Sequence, residues 1–278
     1  VAPWLGEVRR ERHVKERFSQ HLGILGEYAR AGFARRAEFR LEFVNQVVMD
    51  CIFYLVHILT FEFLYNSVDS IQGWSRSDMR VFLGMVFVSD AFHMIWLGAA
   101  WFFGAELKDG KLDTLRLRPA HPVIVYFFQR FSPEACLNMV IAVGYLSWAW
   151  VQGGYATDPL TAALFLWALA LTWLGRIMLA VLFSMLEFRF VNSDLSRLFL
   201  LLSTEAADRP IDVYPRRMAQ FLLWLVPVAT WSWFPAALLL GRIEPGFAAL
   251  YTLFVLAFSW WTLRAWRRSF RHYESALS

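Results

Sequence analysis

The chain has 278 residues, 58% of them hydrophobic and 18% aromatic, with a formal net charge of +4 at pH 7. That apolar share is higher than a soluble domain carries and points to one membrane domain over 1–278, with no room for a separate globular unit. The basic residues flank apolar runs, which excludes a nucleic-acid partner, and Cys51 and Cys136 both lie inside such runs, which excludes a disulfide framework or paired metal ligands.

The first 40 residues are polar and basic and lack the early apolar core of a cleaved signal peptide. Within them Phe18, Leu22, Leu25, Ala29 and Phe33 recur at helical spacing, with Lys15, Arg30, Arg35 and Arg36 on the other faces. This pattern predicts a basic amphipathic helix lying in the inner membrane interface, in contact with lipid.

Six apolar stretches follow: Leu41–Tyr65, Val81–Ala105, Val123–Val151, Leu160–Leu186, Ala219–Gly241 and Gly246–Trp266. Each reaches the roughly 20 residues that a helix needs to cross about 30 Å of hydrocarbon. The expected fold is therefore all-α and polytopic. Arg9 to Arg40, the loop with Lys108, Lys111, Arg116 and Arg118, and the tail with Arg264 to Arg271 are all strongly basic. The intervening loops hold only Arg76 and Arg80, or no basic residue at all over Gln152–Pro159. The positive-inside rule then puts both termini in the cytoplasm of a bacterial inner-membrane protein. Trp148, Trp150 and Tyr155 are expected at the outer interface, and Trp260, Trp261 and Trp266 at the inner one.

The fifth stretch is ambiguous. Between Glu187 and Met218 the charges cancel, and Pro227 and Pro235 interrupt Ala219–Gly241. A second reading makes Phe190–Ala207 a modest fifth span and 209–241 a bent hairpin on the outer side, sheltered by protein or water.

Charges inside the spans cost at least about 2.5–3.5 kcal/mol each and should face the interior. They are Asp50, His57 and Glu62, then Asp90 and His93, then Arg130 and Glu134, then Arg176. Asp50 and His57 are one heptad apart; Asp90–His93 and Arg130–Glu134 are spaced to pair within their own helices. These residues form either a polar path or internal pairs that fix packing, with Glu62 and Arg130 snorkelling toward the interfaces. Covalent chemistry finds no support. Gly110-Lys111 is followed by Leu112 and preceded by Gly104 one residue too far for a phosphate loop, and no metal or nucleophile motif occurs. The chain is expected to bind no metal or cofactor.

The loop from Glu106 through Leu107, Lys108, Asp109, Gly110 and onward to Pro119 resembles the Gly-x-Leu-Asp-x-Leu-Leu-Leu-Arg-Pro signature of type-2 ABC exporter permeases. The matching positions are Gly110, Leu112, Asp113, Leu115, Leu117, Arg118 and Pro119; Arg116 stands where the family usually has leucine. Pro210 to Tyr214 and Pro215, then Pro227, then the run through Pro235 to Gly241, resemble the same family, as more weakly do Glu27–Arg30 and Ala37–Arg40. The resemblance implies six spans, a second permease subunit (identical or paralogous), and two separate ATPase subunits that hold ATP and magnesium. It also implies short outer helices over 209–241 and a coupling helix in 106–122 seated in the ATPase; the residues suit that role, with Leu107, Leu112 and Leu115 as apolar contacts and Lys108, Asp109, Lys111 and Asp113 as paired charge at the rim. The expected role is transport by an ATP-driven exporter. A proton-coupled transporter using Asp50, His57, Asp90 and His93, and a membrane enzyme acting on lipids, are the alternatives. Lipid, glycan, peptide and hydrophobic cationic drug all fit as cargo.

Overall fold

The computed structural model describes residues 21–35, 40–117, 120–190 and 194–271, which are helical apart from one two-residue hairpin and its connections. In chain order these are α1 (21–35), α2 (Arg40–Leu64), the hairpin β1 (Ser70–Ile71) and β2 (Trp74–Ser75), and α3 (Arg76–Trp96). A 3-10 turn (Gly98–Phe102), α4 (Phe103–Lys108), a second 3-10 turn (Lys111–Leu117), α5 (Pro122–Phe127) and α6 (Pro133–Gln152) come next. Then follow α7 (Pro159–Arg189), α8 (Leu195–Ala207), α9 (Arg216–Gln220), α10 (Trp233–Leu239) and α11 (Pro245–Arg271).

Five of these, α2, α3, α6, α7 and α11, are long and apolar enough to cross a membrane, so the chain is a multi-pass helical membrane protein. The expected six stretches are redrawn for local reasons. α3 starts at Arg76 because Ser75 and Asp78 form a reciprocal capping box there, and it ends at Trp96. Val123–Val151 is two helices, since Pro133 lacks the N–H that would continue the first into the second. Ala219–Gly241 is not one helix. It is the end of α9, a π turn (Phe221–Leu225), a 3-10 turn (Val228–Thr230) after Pro227, and α10. Pro235 is tolerated in the first turn of α10, where its missing N–H breaks no helical bond.

α8 has only 13 residues and rises about 20 Å, less than a hydrocarbon core. The chain nonetheless passes from one end of the molecule to the other around it. Asp194, just before α8, pairs with Lys108 at 3.6 Å, beyond the end of α3. Asp212, just after it, accepts a 2.8 Å bond from Trp74 Nε1, before the start of α3. Below, the end with the β1–β2 hairpin is the turn end, and that with Glu106–Leu117 the loop end.

Most of α3 is enclosed by the other helices, whereas α2 leaves most of its apolar surface outside. The α3–α6 contact is tight because Gly84 meets the backbone of Leu146; a Cβ there would lie 2.9 Å from Leu146 Cα. Small residues at such crossings let membrane helices approach closely. Gly84→Ala is expected to force α3 and α6 apart at a cost of about 1–3 kcal/mol, read as a lower melting temperature in detergent. An unchanged melting temperature would show that the contact relaxes freely.

At the turn end, Tyr65 donates to Trp74 O at 2.8 Å, and burial with Asp78 nearby pushes its phenol up to about 12, so the proton stays in place. α1 runs alongside α5: Tyr28 donates to Val125 O, and Gly32 fits under Phe131 where a Cβ would meet Phe131 O at 2.8 Å. Leu22 and Phe33 of the expected apolar stripe are exposed, and Phe18 lies outside the described residues. Trp260 and Trp261, expected at the inner interface together with Trp266, are exposed. Trp266 is not, being enclosed by Phe103, Phe127 and Phe188.

Candidate functional site

One face of α2 carries Gln46, Asp50, Phe53 and Tyr54, His57, Phe61 and Leu64 at helical spacing. Against this face lie three cavities in sequence. A loop-end cavity of about 370 Å³ is lined by Gln46, Gly98, Phe102, Ser132, Glu134 and Ala135 together with His93, Met94 and Trp101. The last three residues also line a middle cavity of about 230 Å³, with Asp50, Phe53, Tyr54, Asp90, Arg176 and Thr204. A turn-end cavity of about 380 Å³ continues along Val56, His57, Thr60, Phe61 and Leu64, facing Glu205, Asp208, Arg209 and Pro210 from the end of α8 onward. The furrow is therefore polar in its middle and runs along nearly the whole of α2.

The pairs that sequence spacing suggests within one helix are not made, and most of the intramembrane charges are held from another helix. Asp90 pairs with Arg176 of α7, which also donates to Ser89 Oγ at 2.6 Å and lies over the Trp231 ring at 4.3 Å. His93 is thus left without Asp90, and among the described residues neither of its ring nitrogens has a hydrogen-bond partner. Arg130 turns away from Glu134 and pairs with Glu106 at 2.5 Å; Glu106 Oε2 also accepts from Tyr126 at 2.8 Å. Burial and that carboxylate push the Tyr126 phenol far up. Glu62 does not snorkel free, because Arg80 of α3 clasps it with bonds of 2.5 and 2.9 Å. Asp50 accepts from Gln46 at 3.0 Å and from Asn138 of α6 at 2.6 Å. His57 faces Asp208 at 3.6 Å.

Asn138, Tyr54, Trp101 and Asp208 were not singled out from sequence. Asn138 is an amide inside an apolar run, and that was the available signal. Asp208 sits in a stretch of cancelling charges and gave none.

In the 106–119 region the three leucines are already occupied. Leu107, Leu112 and Leu115 are buried in this chain's own core, so the apolar contacts expected of them with a partner are made internally. Gly110 is buried with φ +68°, a left-handed turn that suits glycine. Asp109, Lys111 and Thr114 are exposed, Lys108 and Asp113 half-buried; Asp109 beside it holds the Lys111 ammonium pKa up. Arg118, Pro119 and the side chain of Arg116 lie outside the described residues. Sequence reading missed Glu187, whose fully buried carboxylate accepts from Ser196 N and Oγ at 2.8 and 2.9 Å and packs on Gly104 of α4. α8 is thereby anchored at the loop end to α7 and α4.

The prolines of 209–241 sit where elements change. Pro210 and Pro215 precede the 3-10 turn Ile211–Val213 and α9, Tyr214 donates to Ala206 O at 3.3 Å, and Pro227 leads into Val228–Thr230. That last turn reaches α7, where Thr172 donates to Thr230 O at 3.0 Å. Only a glycine fits at 175, since a Cβ would lie 2.3 Å from Thr230 Oγ1.

The described residues form a multi-pass helical bundle with a polar furrow between its helices. The chain belongs to the ABC-2 family: the model for ABC-2 family transporter proteins matches residues 51–276. It is accordingly a transmembrane permease component of ABC type rather than an enzyme. No curated protein and no solved structure matches it.

Proposed function

We propose that this chain is the translocating subunit of an ATP-driven exporter, with the α2 furrow as its path. The observation that carries the reading is that the furrow and the Glu106–Leu117 region share one element. α8 is tied to α4 and α7 at the loop end and delivers Thr204, Glu205 and Asp208 to the furrow. A push at the loop end therefore reaches the path through α8. The loop end faces the cytoplasm of a bacterial inner membrane, as the basic flanks require, and α8 with 209–241 makes the sixth crossing. α1 rests in the inner interface. Two ATPase subunits, which hold the ATP and magnesium, dock at the loop end, and a second permease subunit completes the assembly.

Docking is assigned to the exposed charges of Asp109 and Lys111 rather than to the buried leucines. Leu115→Asp is a poor test, because it buries a charge and disrupts the fold. Asp109→Lys combined with Lys111→Glu reverses exposed charges only. It should abolish co-purification with a co-expressed ABC ATPase partner while the melting temperature is unchanged. Equal recovery of the ATPase with the double variant and with the native chain would sink the docking assignment. Orientation has a separate check. Tyr155→Cys should react with an impermeant thiol reagent outside intact cells, and Lys111→Cys should not.

One observation favours a second reading, proton-driven transport: the buried, unpartnered imidazole of His93 in the furrow. Under that reading transport collapses with the proton gradient at constant ATP.

A further inference from the structure

Among the described residues, none lines both the middle and the turn-end cavities. What stands between them is a short stack of side chains. His57 Nε2 faces Asp208 Oδ2 at 3.6 Å, bridging α2 to the residue that ends α8. The imidazole is fixed from its other side, with Nδ1 3.0 Å from Phe53 O, and its ring lies 4.2 Å from the Phe53 ring. Phe87 of α3 closes the third side, edge-on to His57 at 6.5 Å and 4.4 Å from the ring of Tyr54. Polar surface resumes on both sides, with Asp50, Asp90 and Arg176 toward the loop end and Thr60, Glu205 and Arg209 toward the turn end.

We propose that the His57–Asp208 contact is the barrier of the path, closing the middle cavity to the turn end and opening when α8 moves. The inference rests on the exporter reading only for what drives the opening. A polar contact of this kind suits such a barrier because its two halves sit on different elements, α2 and the end of α8, beside a polar cavity that can receive them. Once separated, both groups stay solvated, so opening does not strand a charge in hydrocarbon. Phe87, which is buried, packs edge-on beside the pair, and Phe53 lies against the imidazole.

The test needs neither cargo nor ATPase. In a background of Cys51→Ser and Cys136→Ser, Thr60→Cys reports on the turn-end cavity and Met94→Cys on the middle one. The probe is 2-(trimethylammonium)ethyl methanethiosulfonate, a small impermeant thiol reagent, applied from the turn side of oriented vesicles. With the pair intact, Thr60→Cys should react and Met94→Cys should not. Asp208→Asn, and independently His57→Gln, should raise the Met94→Cys rate at least 10-fold with Thr60→Cys unchanged, which also reports that the fold persists. Exchanging the two residues (His57→Asp with Asp208→His) should restore the slow rate, as a general packing defect would not. Fast Met94→Cys labelling with the pair intact, or none after either single change, overturns the barrier. The exporter reading fails separately, if a bound ATPase with ATP leaves Met94→Cys labelling unaltered in the protein whose pair is intact.

Discussion

Arg176→Ala should lower the stability of the detergent-solubilised protein by about 3–5 kcal/mol, the cost of leaving one partner of a buried ion pair uncompensated. Arg176 is almost fully buried, and its guanidinium is shared among Asp90, Ser89 and the Trp231 ring. Alanine would strand the Asp90 carboxylate in the enclosed part of α3 and remove one of the contacts that hold the Val228–Thr230 turn against α7. The change is chiefly a loss of pairing, so Asp90→Asn combined with Arg176→Met should recover much of it, because no charge is then left alone. Thermal unfolding of the three proteins separates the cases. A double variant as unstable as Arg176→Ala would assign the loss to packing around the guanidinium instead.

Asp212→Ala is expected to have the next largest effect. Its Oδ2 accepts from the indoles of Trp74 and Trp233 at 2.8 and 2.7 Å, and Trp74 is fully enclosed. Each buried donor left unsatisfied costs about 1–3 kcal/mol. This carboxylate also joins the β1–β2 hairpin to α10, so its loss should loosen the whole turn end. Asp212→Asn keeps an acceptor but not the charge and should fall between alanine and the native residue. The readouts are melting temperature and protease cleavage near Gly73. If alanine and asparagine behave alike, the double acceptance is not what holds the two segments.

The helical, membrane-spanning character was legible because long apolar runs with alternating basic flanks have few other solutions. Boundaries were less so. Where Pro133 or Pro227 interrupts a run, hydropathy alone sums across the break, and only backbone bonding shows it. α8 was the hardest element to read, since Arg197 and Glu205 dilute its hydropathy and its length is short. Within the furrow, Asp50 and His57 could be placed together, because both lie on one helix at one heptad. Partners on other helices could not. Spacing suggested Asp90–His93 and Arg130–Glu134, yet tertiary neighbours offered cations and carboxylates with better geometry, Arg176 for Asp90 and Glu106 for Arg130. The leucines of the loop illustrate the same limit, for an apolar residue near a surface motif can as well face inward. Asp208 and Glu187, which tie α8 to the furrow and to α4, had no local pattern to announce them.

The proposed barrier at His57 and Asp208 also has an electrical consequence. On the path proposed above, with aqueous cavities entering from both faces, the transmembrane voltage would fall mainly across the contact at His57 rather than across the full bilayer. A charged cargo would then do nearly all of its electrical work in a single step at that point, about 2.3 kcal/mol per elementary charge for each 100 mV. Neutral cargo would cross it without sensing the field.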